Sequence, residues 1–239
     1  QIYNERFSDA SGFKMVLVGN INMEKLRPLL CQYVATLPSK GKRDTVKDTY
    51  PAVRNANETH TFKKKMNTPS TLVSIFYTFD EPYTAKADLA LDVFKRVLTI
   101  AYTDSIREEK GGTYGVSVQS ELDRNSKPTT LIKIGFRTDP AKYEMLMPIV
   151  YRQIENIANN GPLAESMAKV KTYLLKAYQQ NAITNNYWDY VIYNNLRHGV
   201  DFHTGYEDLL NGITAQDIQQ IAKDMLKSNR RIEITMMPE

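Results

Sequence analysis

Arg107 and Tyr114 stand seven positions apart in Arg107-Glu108-Glu109-Lys110-Gly111-Gly112-Thr113-Tyr114, and Gly115-Val116-Ser117-Val118 runs on from them as a strand. An arginine at a helix end and a tyrosine opening a strand converge across a glycine turn. The guanidinium brings a fork of charged donors and the phenol a directional O–H, a pair suited to gripping carbonyl oxygens. Gly111-Gly112 permits positive φ and close backbone approach, at an entropy cost that only a demanding turn justifies. A plainer reading stands beside this one. Strict alternation sets Tyr114 on the face of Val116 and Val118, as a half-buried tyrosine at a sheet edge. Arg107 has Asp104, Glu108 and Glu109 near it as surface salt-bridge partners.

No catalytic engine accompanies the pair. The three histidines, His60, His198 and His203, are not in a metal-binding spacing. Glu58 and His60 share a strand face, but zinc needs three or four convergent ligands. His198 and His203 flank Gly199 with Asp201 between them, which reads as helix capping and loop packing rather than a weak surface metal site. Tyr187, Trp188, Tyr190 and Tyr193 spread around a helix and read as packing rather than a stacking platform. No nucleophile elbow, phosphate-binding glycine loop or dinucleotide fingerprint is present. Cys31 is alone, so no internal disulfide forms, and it reads as a small apolar residue on a helix face.

The elements that must position Arg107 and Tyr114 follow from periodicity. Phe13–Val18 is a short apolar strand turning at Gly19-Asn20. Met23 to Leu37 has helical spacing and stops at Pro38. Residues 39–58 read as a long polar connection and Thr59 to Met66 as an edge strand. Leu72 to Phe79 is apolar on both faces, as in a central strand covered on both sides. Ala87, Ala90, Leu91, Phe94, Leu98 and Ala101 make an amphipathic helix. Tyr114–Leu122 and Thr130–Phe136 pair as a hairpin turning at 125–128. Asp139 caps a helix that buries Leu146, Val150, Ile154 and Ile157 and ends near Gly161. Leu163, Met167, Val170, Leu174 and Ala177 mark another helix, and 186–198 a third, ending at Gly199. Thr214 and Asp217 resemble a capping box before the stripe Ile218, Ile221, Ala222 and Met225. Arg231 to Met236 is a final strand. This order implies an α+β fold, a mainly antiparallel sheet with helices packed on it.

With 239 residues, 42% hydrophobic and 24% charged, the chain reads as an ordinary globule able to bury a sizeable core. A formal net charge of +4 does not point to nucleic acid. Part of that charge gathers in residues 40–65, a solvated edge or a patch that draws in acidic peptides. No apolar run reaches membrane-spanning length. The chain opens on Gln1, without an initiator methionine or signal peptide, and reads as an excised piece of something longer.

Four motifs in order resemble the pitrilysin/insulinase-type zinc metallopeptidases, which include the mitochondrial processing peptidases. They are Phe13-Lys14-Met15-Val16-Leu17-Val18-Gly19-Asn20-Ile21 with its following helix and Leu37-Pro38; Arg107 to Tyr114; Gly161-Pro162-Leu163 through Lys169-Val170-Lys171; and Thr214-Ala215-Gln216-Asp217-Ile218. The similarity covers nearly the whole chain. It implies that residues 1–239 are a single C-terminal domain, the fourth of four related α+β domains, cut from a longer bacterial zinc protease. Zinc would then sit in the N-terminal half, on a His-x-x-Glu-His motif that this sequence lacks, and no cofactor would bind here. Tyr114 would be catalytic, donating to the oxyanion or a nearby carbonyl, and Arg107 with Tyr114 would bind the peptide substrate. The partner would be the N-terminal half of the parent chain, with closure completing the site. The resemblance also favours the bacterial periplasm or cell envelope. Two rivals share the fold: a non-catalytic scaffold subunit, and a peptide-binding module that adds a strand at an exposed edge such as 59–66.

Overall fold

The computed structural model describes residues 1–41, 54–108, 113–123 and 129–239. Two compact units divide it: Gln1–Thr49 with Tyr178–His203, and Tyr50–Ala177 with Thr204–Glu239.

The larger unit is an α+β layer. Its strands are β1 (Asn57–Lys64), β2 (Thr71–Asp80), β3 (Thr113–Leu122), β4 (Thr129–Thr138) and β5 (Arg231–Pro238), in the order β1-β5-β2-β4-β3. Every pairing is antiparallel except that of β1 with β5. The edge strand expected over 59–66 is β1. The hairpin expected from Tyr114 is β3–β4, and its turn at 125–128 lies outside the described residues.

Alternation decides which face is covered. Val73, Ile75, Tyr77 and Phe79 of β2 and Ile132, Ile134 and Phe136 of β4 are buried. Beneath them lie α3 (Ala85–Glu108), α4 (Tyr143–Asn160), the buried part of α5 (Ala164–Asn181), α7 (Tyr206–Gly212) and α8 (Ala215–Lys227). Two helix termini follow the sequence directly. Gly161 closes α4 at φ 77°, and Thr214 and Asp217 form a true capping box at α8. Asp139 caps a short 3-10 turn, Pro140–Lys142, that leads into α4. α7 was not foreseen, because one helical turn or two carries too few periodic residues. The expectation that β2 is covered on both sides fails: Leu72, Ser74, Phe76 and Thr78 are only half-buried, since all these helices pack on one face.

Toward β1 the covered face turns polar. Arg231, Glu233 and Thr235 of β5 point to the helices, and Glu233 is 5% exposed. The Tyr151 hydroxyl donates to the Glu233 carboxylate and accepts from Arg231 Nη1 at 2.8 Å. Arg231 also reaches Glu233 at 3.7 Å and Thr59 Oγ1 at 3.2 Å. Burial pushes the Tyr77 phenol up from 10.0 to about 12, with Arg231 pulling it back and Glu233 adding to it. Burial and the hydrogen bond to Glu233 raise Tyr151 as well.

The smaller unit is different. It contains α1 (Ile2–Phe7), α2 (Met23–Tyr33), α6 (Asn185–His198) and the end of α5. The Asp9 carboxylate accepts from Ser11 N at 3.0 Å and Lys40 N at 3.1 Å, stapling the two ends of the intervening segment. The strand expected over Phe13–Val18 is not formed: the segment has no strand partner among the described residues. α2 ends at Tyr33 rather than Leu37, and Cys31 is exposed instead of packed, because its helix face meets no core.

Two outcomes test the polar cluster. Glu233→Ala leaves Tyr151 and Arg231 without their acceptor and should cost about 2–3 kcal/mol in urea unfolding. The folded state holds the Tyr77 proton more tightly than the unfolded chain does. Stability should therefore be full below pH 10.0 and decline as pH rises toward about 12, read as a falling urea midpoint.

Candidate functional site

α3 and β3 carry the two residues singled out from sequence. Arg107 is in the last turn of α3 and Tyr114 is the second residue of β3. Residues 109–112, including Gly111-Gly112, and the side chains of both Arg107 and Tyr114 lie outside the described residues. What the structure describes is the backbone that bears them.

That backbone is held from below. Phe94, Leu98, Tyr102 and Ile106 of α3 and Val116 and Val118 of β3 belong to one buried cluster. The Tyr102 hydroxyl donates to Val150 O at 3.2 Å, tying α3 to α4. The last turn of α3 and the start of β3 are thereby fixed independently of the connection between them.

The start of β3 is irregular. Thr113 pairs with Thr138 and Val116 with Phe136, so three steps on β3 match two on β4. Tyr114 and Gly115 both fall opposite Arg137. Such a bulge inserts one residue and re-aims the chain locally. Strict alternation of the backbone therefore does not hold between Tyr114 and Val116. Gly115 takes φ +130°, which L side chains rarely adopt, although a Cβ there would meet nothing within 4 Å. The bulge lies on an edge strand, since β3 ends the sheet.

Beside the bulge the uncovered face carries a groove of about 250 Å³, lined by Leu72, Ser74, Ser117, Gln119, Lys133 and Arg137 among others. Its floor follows from register. Ser74, Gly135 and Ser117 are cross-strand neighbours, so three small residues line up between the ridge of Leu72 and Arg137 and the ridge of Phe76, Lys133 and Gln119. Lys133 Nζ sits 5.6 Å from the Phe76 ring centre. Two cations beside exposed backbone make a surface able to accept peptide carbonyls and carboxylates.

The remaining candidates separate. His60 Nε2 contacts Glu58 Oε2 at 2.9 Å on the exposed face of β1. In the smaller unit, His203 Nδ1 lies 2.9 Å from the Tyr187 hydroxyl and 3.3 Å from that of Tyr178, with the Trp188 ring 4.6 Å away. Tyr187 and Trp188 are packing residues in this sense, whereas Tyr190 and Tyr193 are exposed. Among the described residues no three His, Cys, Asp or Glu side chains converge on a metal position. Of the basic stretch, Arg54 pairs with Glu58 at 2.6 Å, and Lys42, Arg43 and Lys47 lie outside the described residues. No helix among the described residues is long and apolar enough to cross a membrane. The bulge and the small-residue row were missed in sequence. Gly115 and Gly135 were the available signals, one in each strand of the hairpin.

Comparison with known proteins agrees with this architecture. The family model described as Peptidase M16 inactive domain matches residues 1–174. The Escherichia coli (strain K12) protein named Probable zinc protease PqqL is 25% identical over 178 residues, which are 73% of this chain and 18% of that protein. The crystal structure of the periplasmic protease PqqL from Escherichia coli superposes with a TM-score of 0.73 at 21% identity, over 92% of this chain and 25% of that one. A protease from Helicobacter pylori gives 0.74 at 14% identity, over 92% of this chain and 54% of that one. The chain thus spans about a fifth to a quarter of the length of the curated relatives it matches.

Gly115→Ala should cost about 1–3 kcal/mol through backbone strain alone, since space for the methyl is open. Thermal unfolding of the variant, set beside Gly135→Ala, whose φ needs no left-handed conformation, checks this.

Proposed function

The chain belongs to the M16 peptidase family, the pitrilysin/insulinase-type metallopeptidases, as the inactive, non-zinc-binding C-terminal domain of zinc-protease-like proteins, and from that membership we propose that it supplies Arg107 and Tyr114 to peptide-bond cleavage in a longer endopeptidase. On this proposal residues 1–239 are one C-terminal domain of the parent chain. The zinc belongs to the N-terminal half, which is the partner of this domain, and the substrate is a peptide. The periplasmic relative supports the bacterial periplasm as the parent's compartment.

One observation carries the reading. The backbone positions of Arg107 and Tyr114 flank a connection of six residues, and the second of them enters a bulge on an edge strand next to a cationic groove. Bulges recur next to active sites because they turn a side chain out of strand register. In the proposed role the Tyr114 phenol donates one hydrogen bond to the carbonyl oxygen of the scissile amide as negative charge develops there. Such a donor is most effective when it is oriented before the reaction begins. The Arg107 guanidinium holds a neighbouring carbonyl of the same peptide with a planar fork that lysine cannot reproduce. Lys133 and Arg137 extend donor capacity along the groove. None of these groups is a base or a nucleophile at neutral pH, so the domain binds and polarises, and cleavage requires the other half.

The purified 239-residue chain should fold, cleave no peptide and bind no stoichiometric zinc. Equimolar zinc by elemental analysis, together with peptidase activity, would overturn the proposal. In the parent enzyme Tyr114→Phe should lower kcat by roughly 10²–10³-fold with little change in KM or unfolding midpoint. An unchanged kcat removes Tyr114 from the chemistry.

A further inference from the structure

α5 leaves a gap beside α3. Lys95, Arg96, Thr99 and Ile100 fall at helical spacing on one side of α3, and Lys169, Val170 and Tyr173 do so on α5. Between these two rows and Val118 of the edge strand β3 lies a cleft of about 460 Å³. All of it belongs to the larger unit. Val118 is buried, so the cleft is on the helix side of the sheet, whereas the groove of Lys133 and Arg137 is on the uncovered face. Packing defects rarely exceed a few water molecules, and a volume of this size is that of a small-molecule site.

The lining joins two chemistries. Ile100, Val118 and Val170 make an apolar floor, with Val118 8% and Val170 3% exposed. Lys95, Arg96 and Lys169 stand around it, and no carboxylate is among the described lining residues. Arg96 is held in place from two sides. Its Nε donates to Asp92 Oδ2 at 3.1 Å, and its guanidinium carbon lies 4.5 Å from the centre of the Tyr173 ring. The planar fork thus spans the gap from α3 to α5. Asp92 also meets Lys95 at 2.5 Å, so one carboxylate serves two cations. Lys169 is matched by Glu165 at 2.7 Å, with Asp104 also acting on it. The unmatched positive charge therefore sits beside Arg96.

We propose that this cleft binds a small monocarboxylic acid with an apolar body, its carboxylate received by the Arg96 fork and its body laid over Ile100, Val118 and Val170. A guanidinium matches a carboxylate with two parallel hydrogen bonds, and one unmatched charge suits a monoanion. The rest of the ligand gains by leaving water for the apolar floor. A phosphate ester would bring a second charge that nothing here meets. The site is separate from the roles given to Arg107 and Tyr114, and its failure would leave that reading untouched.

Decanoate is the probe, titrated by calorimetry into the 239-residue chain and, in parallel, into the parent polypeptide, which carries the same cleft. One molecule should bind per chain. It should bind at least ~10-fold more tightly than decanamide, which lacks the charge, and than acetate, which lacks the body. In the 239-residue chain nuclear Overhauser effects should run from the decanoate chain to the Tyr173 ring. Arg96→Gln should weaken decanoate by roughly 10–100-fold. Ile100→Phe, which fills the floor, should weaken decanoate and decanamide together. Should Ile100→Phe fail to fold, Arg96→Gln, at a half-buried position, still decides. Equal binding of decanoate and decanamide, or decanoate binding that both variants leave intact, reports adsorption to another apolar surface and overturns the proposal. Absence of binding in both chains overturns it as well. So does a short peptide ending in leucine that binds at least ~10-fold more tightly than decanoate, since the cleft would then be a docking site for a protein carboxyl terminus.

Discussion

A strand's side chains repeat every two residues, so β3 has one pairing with β4 that keeps Val116, Val118 and Leu122 over the core. A slip of one position would carry all three to the uncovered face. Opposite them, Ile132, Ile134 and Phe136 leave no freedom either. This register determines where β3 begins. It also determines where α3 ends, because Phe94, Leu98 and Tyr102 are packed in the same layer. The bulge at Tyr114–Gly115 is admitted only at the strand's beginning, where the core does not yet demand strict alternation. The apolar interior thus sets the spacing between the end of α3 and the start of β3.

The same sheet changes character from one edge to the other. β2 and β4 bury aliphatic and aromatic residues, and β5 places Arg231, Glu233 and Thr235 against Tyr151 and Tyr77. β1 then presents charged side chains to water. A carboxylate as buried as Glu233 is tolerable because a phenol and a guanidinium meet it, and because both sit on elements fixed by the neighbouring apolar core. The cluster serves as a polar hem that ends the core without leaving an apolar edge strand. Phe13–Val18 has the reverse composition, apolar side chains with no core beneath.

Much of this architecture was legible in the residues themselves. Helices α3, α4, α5, α6 and α8 followed from apolar spacing and from Gly161, Gly199 and Thr214, because stripes and caps are local properties. The hairpin followed from alternation. What was not legible was relational. The parallel pairing of β5 with β1 joins residues far apart in sequence. Leu72 and Phe76 looked like a second buried face, yet apolar character does not reveal whether anything lies above it. Phe13–Val18 has a strand's composition but no strand's partners, since pairing belongs to two segments and not to one. At the candidate site the two residue positions were legible from the Gly111-Gly112 spacing. The bulge was not, because it is a mismatch between strands and appears in neither alone.

On the proposed reading the domain contributes hydrogen-bond donors, and that contribution has a particular physical advantage. Donors stabilise developing charge in proportion to how little they must move when it appears. On the proposed reading the cost of holding Arg107 and Tyr114 is met by the folding of the α+β core, which is complete before any peptide binds. Core residues such as Leu98 and Ile134, far from any substrate, then influence both donors together. A cavity beneath α3 would loosen the helix end and the strand start at once. Substitutions in this layer are therefore expected to couple stability to catalysis, whereas a change at the side chain of Tyr114 separates them. That separation distinguishes a group acting on substrate from one that merely holds the backbone in place.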